Sequence, residues 1–257
     1  MESMMQPRVL GVIPARIGSE RLPRKPLHLL AGRPLIEWVW RRVERFAILD
    51  AVVVATDSDE VAELCHRMGA AVELTSPAHA SGTDRVAEVA ALPQYRGYDV
   101  VVNIQGDEPF MGEAEVTASA RLVLEGWDVG TAAGPVRTLE EWRNPSVVKV
   151  VRRNDGGALY FSRAPIPHLR DREPTPEELS TSDFLRHIGV YAFRRSALER
   201  WVSLPAGALE GLEKLEQLRA LAAGLQIGVA LVETAEGGVD TPDDAGRAEA
   251  RLLAAIS

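Results

Sequence analysis

Residues 8–27 read RVLGVIPARIGSERLPRKPL. The first six are a short apolar run closed by Pro14, which reads as a buried strand. The next fourteen are a loop that places Arg16, Arg21, Arg24 and Lys25 within ten residues, with Gly18 and Ser19 keeping the backbone permissive. Similar apolar runs recur at 51–55 (AVVVA) and 100–104 (VVVNI), and amphipathic stretches lie between them at 34–46, 59–68 and 83–92. Strand and helix alternating over short links predict parallel strands joined by crossover helices that cover both faces. Asp57 with Glu60, and Ser81 with Asp84, have capping-box spacing, and Gly69 reads as a helix stop. In such sheets ligands bind beyond the carboxyl ends of the strands. The loops after Ile13, Ala55, Ile104 and Val232 are therefore where chemistry is expected.

Further along, 147–151 (VVKVV) reads as a strand, and Asn154-Asp155-Gly156-Gly157 is a strong turn signal before ALYFS. That pairing predicts antiparallel strands attached to the main sheet. Prolines 165, 167, 174 and 176 mark an extended loop, and the charged segment 170–183 is expected to be the most mobile surface. Strands are predicted at 189–193 and 227–232, and a helix from Pro242 onward.

A chain of 257 residues can bury roughly 70% of its unfolded surface. The expectation is a single domain over 1–257, with 155–205 as a smaller subregion. A net charge of −8 disfavours a nucleic-acid binder or a membrane-surface protein. The lone Cys65 rules out a disulfide framework and fits a reducing compartment. The N-terminal residues lack a signal core, and no run of eighteen apolar residues occurs. A soluble, cytoplasmic protein is the expectation.

Four cations in one loop of an acidic chain predict a polyanion site, for which phosphates are suited. The loop is neither a Walker A motif nor a GxGxxG. Asn103 to Pro109, NIQGDEP, places Asp107 and Glu108 at a strand's carboxyl end, where a carboxylate beside phosphates could hold Mg²⁺. In GGVDTPDD, residues 237–244, helix-start chemistry accounts for Thr241, Pro242 and Asp243. Asp240 is left over, a candidate second carboxylate for the metal. Over 208–222 a single helix would carry Leu209, Leu212, Leu215 and Leu218 on its apolar side. Glu216 falls on that side too, with Arg219 as a possible internal ion-pair partner.

These segments together resemble one family. The strings VIPAR (12–16), SERLPRKPL (19–27), VATDS (54–58), SGTDR (81–85), VNIQGDEP (102–109), NPSVVKVV (144–151), ALYFSRAPIP (158–167), RHIGVYAF (186–193), LEKLEQLR (212–219) and GVDTPDD (238–244) follow the order and spacing of the CMP-Kdo synthetases, the 3-deoxy-manno-octulosonate (Kdo) cytidylyltransferases. The resemblance implies a Rossmann-like α/β nucleotidyltransferase fold, with a mostly parallel central sheet flanked by helices. It also implies a smaller antiparallel region that binds the sugar and mediates a homodimer. The implied reaction transfers CMP from CTP to the 2-hydroxyl of Kdo with Mg²⁺, releasing pyrophosphate and feeding lipopolysaccharide synthesis.

By the same resemblance, Arg16 and Lys25 hold the triphosphate, and Arg21 serves phosphate or sugar acid. Pro14, Ala15 and Gly106 line the CTP site, while Ser81, Arg85 and Gln105 lie near the cytidine. Asp107 and Asp240 hold Mg²⁺, so that Arg16, Lys25, Asp107 and Asp240 form the catalytic set. Arg163, His187, Tyr191, Glu216 and Gln217 contact the sugar acid, with Arg163 as the partner of the sugar's carboxylate. One departure is Arg24, where relatives usually carry Gly. Competing readings are a cytidylyltransferase for 8-amino-Kdo or a sialate, a glycosyltransferase (whose Asp-x-Asp motif is lacking here), and a non-catalytic nucleotide-binding regulator. Outside these motifs His28, His66, His79 and His168 read as surface or turn residues. Cys65 reads as core, and EEWR near Glu140 as a solvated helix start.

Overall fold

The computed structural model describes residues 6–19, 21–233 and 238–256; Glu20 and Gly237 lie outside them. The fold is mixed α/β and divides into two compact units, residues 1–113 with 236–257, and residues 114–235.

In the first unit the elements run β1 (Val9–Ala15), β2 (Leu29–Leu30), β3 (Arg33–Pro34), α1 (Leu35–Val43), β4 (Ala51–Thr56), α2 (Asp59–Met68), β5 (Ala71–Leu74), α3 (Gly82–Ala91) and β6 (Val100–Asn103). A C-terminal helix, Pro242–Ile256, completes it. The strands lie in the order β6-β1-β4-β5, all parallel. Val9, Leu10, Val12 and Ile13 are all buried, which is why β1 is a continuous apolar run. Leu35, Ile36, Val39, Trp40 and Val43 give α1 its buried stripe. Gly69 closes α2 at φ 79°. The first cap differs from expectation. Ser58, not Asp57, accepts the N–H of Val61, because the Asp57 carboxylate is engaged elsewhere. Strand β5 has no sequence signal, being a short edge strand with Ala71 and Leu74 exposed.

The second unit contains α4 (Glu113–Leu124), β7 (Val129–Pro135), α5 (Leu139–Arg143), β8 (Lys149–Arg152), β9 (Ala158–Ser162), α6 (Pro176–Leu179), β10 (Leu185–Arg194), α7 (Arg195–Ser203), α8 (Ala208–Glu213), α9 (Gln217–Ala222) and β11 (Ile227–Leu231). Here β7 is central, parallel to β11 and antiparallel to β10. Strands β8 and β9 form the antiparallel hairpin that the 154–157 turn predicts, with β8 joined to β10. The sequence VGTAAGP of β7 hides its role, since small residues have low strand propensity. A Cβ at Gly130 would overlap the Ser119 carbonyl oxygen of α4, so the close approach of that helix requires the glycine.

Expectation from sequence is incomplete or wrong at three places in this unit. The 170–183 segment holds the short helix α6, with a Thr175–Glu178 capping box and Leu179 buried among Val136, Trp142 and Phe184. Trp142 is thus core, although EEWR reads as solvated. Finally, 208–222 is two helices, broken at Lys214 with φ 54°. The break turns Leu212 out to 80% exposure while Leu215 and Leu218 stay buried.

Candidate active site

The loops after β1, β5 and β6 and the start of the C-terminal helix surround a cavity of about 600 Å³ in the first unit. All of the residues expected at CTP line it, together with Asp107 and Asp240. Gly106 permits this closeness. A Cβ there would sit 2.5 Å from the Pro14 carbonyl oxygen, so the 105–107 turn is pressed against the end of β1.

Arg21, Lys25 and the two aspartates of this cavity are paired with one another. The Lys25 ammonium lies between the Asp107 carboxylate and Asp240 Oδ1, the latter at 2.8 Å. Arg21 Nη2 reaches the same Asp240 oxygen at 2.9 Å from an exposed position. Among the described residues Arg16 makes no ion pair, and its exposed guanidinium lines the cavity. Asp240 stands at a well-defined helix start. The Asp244 carboxylate accepts from the N–H groups of Asp240 and Thr241 and from the Thr241 hydroxyl. Burial alone would raise the Asp244 carboxyl, but these bonds hold it below its ordinary value. The two metal candidates converge on one small cationic atom, so their hard oxygen donors suit a single Mg²⁺. Among the described residues no third acidic, His or Cys side chain joins them, so substrate and water would supply the remaining ligands.

Arg85 has a different part from the other cations. Its side chain is 4% exposed, donates to the Thr75 hydroxyl and pairs with Asp57 at 2.9 Å. The other Asp57 oxygen accepts the Ile17 N–H at 3.1 Å. Arg85 therefore ties α3 to the basic loop through Asp57. Arg24 sits at φ 56°, outside the cavity lining, and pairs with Glu60 of α2. His79 is no bland turn residue: it lines the cavity and its Nε2 meets Glu88. Burial would raise the Glu88 carboxyl, but bonds to His79 and the Ser76 N–H hold it low.

The sugar-acid candidates all belong to the second unit. His187 packs edge-on against Phe161 and beside Tyr191, each at 5.2 Å between ring centroids. Burial lowers the His187 pKa to about 3 and pushes the Tyr191 hydroxyl far up. Glu216 Oε1 accepts from Trp201 Nε1 at 3.0 Å, and Gln217 is buried. Arg219 approaches Glu216 only to 3.8 Å and bonds Glu210 at 2.8 Å, so the expected internal pair is the weaker one. Arg163 donates to the carbonyls of Glu213, Pro145 and Lys214, which engages three of its five N–H groups. Beside it, the fully buried Lys149 donates to the carbonyls of Asn144, Val147 and Arg163 at 2.9, 2.6 and 2.7 Å.

Residues 10–227 match the family model described as cytidylyltransferase. A 3-deoxy-manno-octulosonate cytidylyltransferase of Gemmatimonas aurantiaca is 51% identical, over 93% of this chain and 92% of that protein. This chain belongs to the 3-deoxy-manno-octulosonate cytidylyltransferase family. The same name is carried by a relative from Xanthomonas oryzae pv. oryzae, 46% identical over 95% of each chain. A solved structure of CMP:2-keto-3-deoxy-manno-octonic acid synthetase complexed with CTP superposes with a TM-score of 0.87. It has 36% identity and covers 97% of this chain and 100% of that one. A 4-diphosphocytidyl-2C-methyl-D-erythritol synthase from Anaerococcus prevotii, at 15% identity and a TM-score of 0.61, shares the fold.

Several residues of this cytidylyltransferase escape a reading by motif. Thr75 and Glu88 act through Arg85 and His79 of neighbouring segments, while Asp57, and Thr131 and Glu213 in the second unit, act through partners distant in sequence. The strings VATDS and LEKLEQLR contain Asp57 and Glu213, but nothing in their spacing announces an ion pair with Arg85 or a bond from Ser162.

Proposed function

We propose that this enzyme transfers CMP from CTP to the 2-hydroxyl of Kdo and releases pyrophosphate. The reading rests on one observation above the others. The loop cations, the two aspartates and the 81–85 and 105–106 segments line a single cavity in a chain of this family. Attack of a hydroxyl on the α-phosphorus demands positioning and charge neutralisation rather than a protein nucleophile. Arg16, Arg21 and Lys25 supply positive charge for the triphosphate. Entry of phosphates gives Lys25 and Arg21 new anionic partners, which frees Asp107 and Asp240 to hold Mg²⁺. The ion, when bound, adds charge neutralisation at the phosphate oxygens. Arg85 and Asp57 hold the basic loop through the Ile17 N–H, and Gly106 gives the nucleotide close access to backbone.

The sugar acid is assigned to the second unit, at His187, Tyr191, Glu216, Gln217 and the free N–H groups of Arg163. A homodimer in the cytoplasm completes the proposal. Its support is strand β9, which pairs with β8 and leaves Leu159 54% exposed. Among the described residues no helix is long and apolar enough to cross a membrane.

The test is pyrophosphate release from CTP and Mg²⁺ with Kdo, with N-acetylneuraminate, and with no sugar. Release with Kdo alone is expected. Release with N-acetylneuraminate instead would move the assignment to a sialate, and release with neither would overturn it.

A further inference from the structure

The pairing of β7 with β10 slips between Ile188 and Tyr191, where Ile188 faces Ala132 but Tyr191 faces Thr131. Such a bulge withdraws backbone carbonyls from the ladder. Thr131, fully buried, answers them with its side chain. Its Oγ1 lies 2.7 Å from the Val190 carbonyl oxygen and 3.3 Å from that of Ile188. The same Oγ1 lies 2.9 Å from His187 Nε2.

A hydroxyl has one proton, and a carbonyl oxygen can only accept. The Thr131 proton therefore goes to the bulge carbonyls, the nearer being Val190. Toward His187 the hydroxyl oxygen can then only accept, so Nε2 must carry a proton. Phe161 and Tyr191 clamp the ring and fix its plane. Among the described residues Nδ1 has no hydrogen-bond partner.

We propose that Thr131 is a positioning residue: its hydroxyl fixes His187 as the Nε2–H tautomer and so reserves Nδ1 as an acceptor for a hydroxyl of the sugar acid. This rests on the reading that His187 contacts the sugar. It narrows that contact, because a carboxylate has no proton to give to Nδ1. Burial, which keeps the ring uncharged down to about pH 3, agrees with a neutral acceptor. His187 thus selects for a polyhydroxy chain, and the acid group must be met by other residues.

The experiment is ¹⁵N spectroscopy of protein labelled at histidine, which reports directly which ring nitrogen carries the proton. The wild type is expected to show protonated Nε2 and unprotonated Nδ1. Thr131→Val, which keeps the shape and removes the hydroxyl, should mix or invert the tautomers. It should raise the KM for Kdo about tenfold, leaving kcat and the KM for CTP within about twofold, and Thr131→Ser should restore both readouts. A proton on Nδ1 in the wild type overturns the proposal without any variant. So does a Thr131→Val protein that keeps the wild-type spectrum, or one whose tautomer changes while the KM for Kdo does not. The spectrum needs no substrate. An expected spectrum in a protein that fails to turn over Kdo would condemn the proposed function instead.

Discussion

The nucleotide cavity and the sugar-acid cluster both gather charged side chains, yet they handle charge in opposite ways. In the cavity the cations pair with side-chain carboxylates that are themselves partly open: Asp107 is 29% and Asp240 41% exposed. Pairs of this kind are exchangeable, since phosphate can replace a carboxylate at little cost in solvation. In the second unit Lys149 and Arg163 donate instead to backbone carbonyls, which no ligand can displace without opening the chain. The first arrangement is a binding site held ready by its own counter-ions. The second is a scaffold that fixes the joint between α8 and α9 and holds Arg163 in place, beside neutral groups such as His187.

The largest effect should come from breaking the exchangeable set. Asp107→Ala or Asp240→Ala is expected to lower kcat by about 10²–10³-fold at ordinary Mg²⁺, measured as pyrophosphate release. Near-normal turnover in either variant would remove it from the metal role. On the scaffold side, Lys149→Met removes three part-buried contacts to carbonyls and should cost about 2 kcal/mol in urea unfolding. CTP affinity by calorimetry should stay the same, and a comparable loss of affinity would erase the distinction between the two regions.

A smaller effect sharpens the contrast through pH. An unfolded His187 takes up a proton near pH 6.5, whereas the folded ring refuses it down to about 3. The unfolded state then binds more protons in that window, so the ring's contribution to stability is lost as pH falls from 6.5 toward 3. The wild type should lose stability relative to His187→Gln there, by about 1 kcal/mol per pH unit at the steepest. Parallel curves for the two proteins would mean that the ring is not protected from protonation. The smallest change concerns Arg24→Gly. It relieves a left-handed backbone and gives up an exposed ion pair with Glu60, for a net gain of about 0.5 kcal/mol. Turnover should not change, since Arg24 does not line the cavity.

By itself the sequence determined the parallel β1, β4 and β6 core, the crossover helices and the basic loop at a strand's carboxyl end. Each is written in local periodicity and turn chemistry, which neighbours along the chain enforce. The motifs also marked the side chains that line the cavity, Asp240 among them, because it is the one residue in its loop that helix-start chemistry does not use. Tertiary structure alone decided the centre of the second unit. Strand β7 forms from small residues because α4 must pass close above it, and a close approach leaves no periodic signal. The helix over 208–222 breaks at Lys214, where the carbonyls of Glu213 and Lys214 accept hydrogen bonds from Arg163 of another segment. Partners 28 to 56 positions apart, Arg85 with Asp57 and His187 with Thr131, are joined only once the sheets are assembled. Local pattern fixes which face of an element is apolar. Which polar atom finds which partner is a property of packed elements, and it is there that the site acquires its charge balance and its tautomer.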